Sequence, residues 1–245
     1  MSRADWAPVL MYHRVAAEVP AHDPYRNFVK ADVFDAQLGW LRRRGFRGVT
    51  VSALADALAR GESLPDRSVA ITFDDGYRDN LEVAWPLLRR HGFTATVFVV
   101  SGSVGGTSEF DRPHGYPPAA MLSSRELREL HGAGVEIGSH TVTHPESLCA
   151  LRSGSLQAEL ADSRAALEDI VGAPVTAFAY PHSQVDARVE AAVAAAGYRA
   201  ACAGRGAAFR PLRLSRLETG VRRGLAIETQ VRWRRLRWRL GRTAA

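Results

Sequence analysis

The chain has 245 residues, 46% of them hydrophobic and 24% charged, which is enough for one α/β barrel with a sizeable core and unlike a disordered segment. Its two cysteines, Cys149 and Cys202, lie far apart with no CxxC spacing, so neither a disulfide framework nor a thiolate metal site is indicated and both thiols are expected to fill the core. The formal net charge of +6 belongs to the end of the chain: residues 221–245 hold eight arginines and one glutamate, and the remainder, at a net −1, argues against a nucleic-acid channel.

In chain order, the opening MSRADWAPVLMYHRV has no apolar run of signal-peptide length, and no segment reaches the roughly 18 consecutive apolar residues of a membrane span, so a cytoplasmic protein is expected. VLMYHRV (Val9 to Val15) reads as the first strand. Phe34, Leu38 and Leu41 recur at helical spacing before Gly45. SVAITF (Ser68 to Phe73) and TATVFVV (Thr94 to Val100) are β-branched and too continuously apolar for a sheet with one wet face. A Gly-rich irregular stretch follows, from Ser101 to about Met121. Ser123, with Glu126 three residues on, is a capping-box signature opening a helix that stops at glycines. VEIGS (Val135 to Ser139) is the next strand, Leu156, Leu160, Leu167 and Ile170 mark a helix before Gly172, and VTAFAY (Val175 to Tyr180) is another strand. YRAACA (Tyr198 to Ala203) and LRLSRLE (Leu212 to Glu218) are weaker strand patterns. Strand and helix in alternation imply parallel strands with right-handed crossovers, and at this length a (β/α) barrel is the natural closure. One domain over residues 1–220 and a tail over 221–245 are expected.

In parallel α/β architectures functional side chains gather where strands end. Here the strong strands end in His13, in Asp74 and Asp75, in His140 and His144, and in Pro181 and His182. Adjacent carboxylates repel and need compensation by a cation, a shared proton or open water. Two histidines four apart plus one carboxylate make a three-ligand catalytic metal site with positions left open.

TFDDG (Thr72 to Gly76) followed by SHTVTHP (Ser139 to Pro145) resembles the first two motifs of the polysaccharide deacetylases, carbohydrate esterase family 4, which implies an α/β fold of that family's type, a distorted, incomplete (β/α) barrel. YHRV, EIGSHT and FAYP are similar to the branch with exopolysaccharide poly-N-acetylglucosamine deacetylases. The resemblance implies that Asp74 is the general base and that Asp75, His140 and His144 hold one divalent metal ion; the ligand set suits Zn²⁺, and Co²⁺, Ni²⁺ or Fe²⁺ fit as well. A dication beside Asp75 would relieve the carboxylate pair and leave Asp74 free to take a proton from water activated by the metal. By similarity the oxyanion meets the backbone N–H of His182, which with Tyr180 and Pro181 forms the oxyanion and substrate-binding segment. Gly76 serves backbone geometry after the Asp pair or is a plain turn glycine.

The chain departs from the family pattern twice. Ala179 stands where many members carry the arginine that orients the base, with His182 at a usual tyrosine; Arg213 and Arg216 are the late-strand replacements, although among 31 arginines a surface role is the expectation for both. The late leaving-group histidine is also missing, since no histidine follows His182. In the resembling branch that motif lies at the N-terminus by circular permutation, which makes His13 the acid, with His182 as its rival and a hydrogen-bonded rim position as the structural alternative. His22, His91, His114 and His131 read as surface or loop residues, with His114 a weak candidate for substrate contact.

The implied activity is metal-dependent release of N-acetyl groups from an N-acetylated amino sugar in a glycan or glycolipid. Hydrolysis of cyclic imides or ureides on the same barrel and a non-catalytic glycan-binding role are the alternatives. In the tail VRWRRLRWRL, Trp233, Leu236 and Leu240 share a helical stripe while Ile227, Val231 and Trp238 fall on the other side. A helix packed on the barrel, a disordered end, docking to an anionic membrane at its inner face and, last, nucleic-acid binding are the readings of that segment.

Overall fold

A computed structural model describes residues 7–204 and 209–219; the Arg/Trp-rich tail lies outside the described residues, together with the expectations placed on it. The strands are β1 (Val9–Tyr12), β2 (Arg14–Ala16), β3 (Phe28–Lys30), β4 (Arg47–Val49), β5 (Ser68–Phe73), β6 (Thr96–Val99), β7 (Glu136–Ser139), β8 (Ala177–Ala179), β9 (Ala200–Ala203), β10 (Leu214–Ser215) and β11 (Leu217–Glu218). The helices are α1 (Ala31–Arg43), α2 (Val51–Arg60), α3 (Trp85–His91), α4 (Ser124–Gly132), α5 (Ser153–Val171) and α6 (Ala187–Ala195).

Every ladder is parallel, and the sheet runs β10-β9-β8-β7-β6-β5-β1-β11 with β4 added beside β5. β10 and β11 are one short run split at Arg216: Leu214 pairs with Cys202 of β9, and Leu217 pairs with Leu10 of β1. That segment joins the two edges, so the expected barrel is nearly closed. No helix among the described residues is long and apolar enough to cross a membrane.

Alternation along the strands sorts side chains into two layers. Leu10, Ile71, Phe73, Val97, Ile137 and Phe178 point outward and meet the apolar faces of α1, α4 and α5 at Leu38, Leu127, Leu156 and Leu160. Val9, Ala70, Phe98, Ala177, Ala200, Cys202 and Leu214 fill the narrow interior, mostly with small residues around Phe98. α2 closes the end of the barrel where the strands begin: the Val51 amide donates to Glu136 Oε2 at 2.9 Å, and Val51, Leu54 and Ala55 join the interior cluster. The opposite end stays open to a cavity.

Gly138 on β7 lies beside Phe98, and a Cβ there would meet the Phe98 ring at 2.6 Å and the Ala177 carbonyl at 3.0 Å. Gly138→Ala is therefore expected to cost about 1–3 kcal/mol by overpacking. A urea midpoint unchanged from wild type would show that the interior can relax around the methyl group.

The helices before Gly45 and Gly172 form as α1 and α5, and the Ser123 capping box forms with both reciprocal bonds present. Cys202 is buried in the barrel and Cys149 packs against the outer core. VLMYHRV is not one strand. β1 leaves the barrel after Tyr12, whose carbonyl accepts the Asp74 amide, and β2 pairs instead with β3, so His13 sits at the break between two sheets. The stretch from Ser101 to Met121 is less irregular than expected. It carries 3₁₀ turns at Ser101–Ser103 and Glu109–His114, and it is tied back by bridges Thr107 to Ala120 and Tyr77 to Met121.

Candidate active site

Period-2 alternation carries one residue of several strands inward at the open end. Val9 and Met11 on β1 are followed by His13 just past its end, Ala70 and Thr72 on β5 by Asp74, and Gly138 on β7 by His140, while Leu214, Arg216 and Glu218 follow one another from β10 into β11. An extended chain would point Asp75 away from Asp74, yet both line one cavity of about 440 Å³. The strand ends at Phe73, and Asp75 and Gly76 take left-handed φ values of 74° and 85°, which turns the second carboxylate back inward. A Cβ at Gly76 would touch Val99 at 3.2 Å, so the glycine is required by space as well as by φ. Four of the seven non-glycine residues with positive φ among the described ones, Asp75, His144, His182 and Ser183, line this cavity, and a fifth, Thr141, lies in the loop between His140 and His144, as strained backbone at functional sites does.

Asp75 Oδ1 lies 3.5 Å from His140 Nε2 and 3.5 Å from His144 Nε2. These separations are long for hydrogen bonds, and Asp75 Oδ1 is a buried oxygen with no hydrogen-bond partner among the described residues. Ligand atoms about 2.0–2.2 Å from one tetrahedral centre stand roughly 3.3–3.6 Å apart, so the donor set fits a divalent cation. The Nδ1–H of His140 donates to the Ala179 carbonyl at 2.8 Å, which leaves the Nε2 lone pair directed at the site. Glu159 on α5 accepts the amides of Val142 and Thr143 at 2.8 and 3.0 Å and so holds the loop that presents His144. Burial, then the charges of Asp74 and Asp111, pushes the Asp75 carboxyl well up. Burial lowers His140 to about 4 and, with the neighbouring His140, lowers His144 well below the ordinary imidazole value. A carboxylate without a countercharge beside two neutral imidazoles is the arrangement that a dication completes.

Asp74 is oriented differently. Arg216 is 2% exposed and grips it with both ends of the guanidinium, at 2.6 Å to Oδ1 and 2.7 Å to Oδ2. Burial alone would raise the Asp74 carboxyl; the Arg216 charge, with His140 and the two hydrogen bonds, outweighs it and holds the group well below the usual carboxylate range. The surface role expected for Arg216 is thus overturned: it takes over, from the closing strand, the place that Ala179 leaves vacant. Arg213, three positions earlier and so on the other face of the run, turns outward to the Val185 carbonyl at 3.1 Å and to Glu190.

His13 Nε2 is 3.8 Å from Asp74 Oδ2, and its carbonyl accepts from Asn80. His182 borders the cavity, its N–H makes no hydrogen bond among the described residues, and its ring faces Glu146 at 3.7 Å. Tyr180 also lines the cavity while its hydroxyl donates to the Leu212 carbonyl. Pro181 is buried and does not border the cavity; it opens the 3₁₀ turn that presents His182. Sequence reasoning missed Asp111, which is buried, accepts the Tyr77 hydroxyl at 2.9 Å and lines the cavity, as do Phe110, Tyr25 and Glu146. Tyr25 and Glu146 stand on loops, and Phe110 and Asp111 on the short 3₁₀ segment, where no periodicity announces a direction.

The family model described as Polysaccharide deacetylase matches residues 61–201. YxkH of Bacillus subtilis (strain 168) is 29% identical over 192 residues, 78% of this chain and 62% of that protein. The poly-beta-1,6-N-acetyl-D-glucosamine N-deacetylase of Staphylococcus epidermidis is 28% identical over 160 residues, 61% of this chain and 51% of its own length. The chain thus spans between half and two thirds of these curated relatives. The structure of the Streptococcus pyogenes deacetylase PplD in complex with acetate matches with a TM-score of 0.79 at 25% identity, covering 92% of this chain and 97% of that one.

Proposed function

The chain belongs to the polysaccharide deacetylase family, and from that premise we propose that it is a metal-dependent hydrolase releasing acetate from N-acetylated amino sugars of a glycan or glycolipid. The observation that carries the reading is the partnerless Asp75 oxygen between two imidazoles, directly beside a second carboxylate that Arg216 keeps ionised. The S. epidermidis relative, by its name, supports an N-acetylglucosamine polymer as the substrate class. Phe110, Tyr25 and Tyr116 line the cavity and supply flat apolar faces against which a pyranose ring packs.

Asp75, His140 and His144 would hold the cation, with Zn²⁺ best suited to a two-nitrogen, one-oxygen set. When bound, it supplies Lewis acidity that polarises the acetyl carbonyl and makes water more acidic. The protein does the rest. Asp74, fixed by Arg216, takes a proton from the attacking water, whose oxygen adds to the acetyl carbon. The His182 N–H is free to donate to the carbonyl oxygen as negative charge gathers there. His13 gives a proton to the departing nitrogen as the C–N bond breaks, leaving acetate and a free amine.

Acetate release from a panel of N-acetylglucosamine oligosaccharides, before and after chelation, tests the reading. Loss with chelator and recovery on adding Zn²⁺ are expected. Activity that survives complete metal removal would overturn it, and so would turnover of a cyclic imide in place of the glycans.

A further inference from the structure

The rim of the same cavity carries a second set of metal-ligand side chains that the proposed reaction leaves unused. His114 ends the 3₁₀ segment Glu109–His114, Glu146 follows the His140 loop, and the His182 side chain emerges from the turn after β8. Three separate segments therefore bring these groups together. His114 Nε2 lies 3.0 Å from Glu146 Oε1, and His182 Nε2 lies 3.7 Å from Glu146 Oε2. One ligand atom from each of the three residues falls within 4.8 Å of the others. The left-handed backbone at His182, with φ of 50°, sets the direction of its ring toward this rim.

We propose that His114, Glu146 and His182 form a second, weaker site for a divalent transition metal of the Zn²⁺ type, and that filling it closes the cavity to glycan. The chemistry is the same two-imidazole, one-carboxylate set as the inner site, which borderline cations prefer and which Mg²⁺ and Ca²⁺ do not.

Its weakness follows from its surroundings. In the inner site one of the two rings, His140, is backed by the Ala179 carbonyl, while the Nδ1 of His144 has no partner; of the rim pair, neither His114 nor His182 donates its Nδ1–H to a partner among the described residues. Supporting bonds of that kind are worth about 10–100-fold in metal affinity. The Glu146 side chain is 70% exposed and must also be ordered on binding. The rings of His144 and His182 are 4.8 Å apart, so a dication already held by the inner set repels the second. The inner site fills first. A cation at the rim then stands among residues that line the mouth, so activity should rise with the first equivalent of Zn²⁺ and fall with excess. That fall rests on the proposed hydrolysis; the metal counts do not.

Metal-free protein titrated with Zn²⁺ by calorimetry, with bound metal counted after equilibrium dialysis, decides the matter. Wild type is expected to bind two ions per chain with affinities at least about 10-fold apart. Glu146→Gln and His114→Ala/Glu146→Gln should lose the weaker ion and retain the tight one, with an unchanged melting temperature. His140→Ala/His144→Ala should lose the tight ion and retain the weaker. Glu146→Gln should also release acetate normally at one equivalent of Zn²⁺ and escape the fall at excess. A wild-type count of one, or a second ion that survives both rim variants, overturns the proposal whether or not any glycan is hydrolysed. A count of two with no acetate released at any zinc level would leave the second site standing and sink the hydrolase reading alone.

Discussion

Arg216→Met is expected to lower the stability of the fold by about 3–5 kcal/mol, the cost of leaving a buried charge without its partner. Asp74 is 3% exposed, and both of its oxygens are held by the one guanidinium. Methionine fills much of the space that the guanidinium occupies over the Phe98 ring but leaves the buried carboxylate without its two-pronged partner. Removing the charge as well should restore much of the loss, so the double variant Asp74→Asn/Arg216→Met should unfold at a higher urea concentration than Arg216→Met alone. Arg216→Lys tests the fork: it keeps the charge and loses the two-pronged grip that fixes the carboxylate, so it should retain more stability than activity. An Arg216→Met protein within about 1 kcal/mol of wild type would mean that the pair is worth no more than a surface ion pair. A double variant no better than the single one would mean that Arg216 acts by packing, not by pairing.

The same residue shows where the sequence is readable and where it is not. Asp75, His140 and His144 lie in two short continuous motifs, and hydrophobic continuity is enough to argue that β5 and β7 run parallel and end together; the left-handed turn at Asp75 and Gly76 that brings the second carboxylate inward is hinted at only by the glycine. Arg216 is one arginine among 31, and its composition hides it. Its parity does not: it stands two residues beyond the interior residue Leu214, on the inward series that also holds Glu218. The signal was present but rested on a five-residue strand split by the closure of the barrel. β3 and β4, at three residues each, are too short for any alternation to be recognised. The rim residues Tyr25, Phe110, Asp111, His114 and Glu146 depend on how loops fold back over the barrel. Bridges such as Tyr77 to Met121, which set that path, are contacts between distant residues that no local pattern encodes.

His13→Ala is expected to retain bound metal and to slow amide hydrolysis by about 10²–10⁴, the usual loss on removing a positioned general acid. Its ring faces Asp74 at 3.8 Å, at the point where β1 leaves the barrel, while the ring of its rival His182 is turned to Glu146 at the rim. Burial lowers His13 below the ordinary imidazole value, with the Asp74 charge pulling against it, so a proton placed on this ring is readily given up. An amine leaves poorly unless it is protonated, whereas the phenolate of an activated acetyl ester leaves unaided. An acid is therefore needed for the first substrate and not for the second. The His13→Ala defect should be large on the N-acetylated sugar and small on the aryl acetate, and the His182→Ala variant should show no such split. Equal losses on both substrates with a lowered melting temperature would make His13 a packing residue of the rim, because the bond from the Asn80 side chain goes to its backbone carbonyl and survives in the variant. A leaving-group split confined to His182→Ala would move the proton donor to the rim, where it would compete directly with the second metal ion for the same imidazole nitrogen.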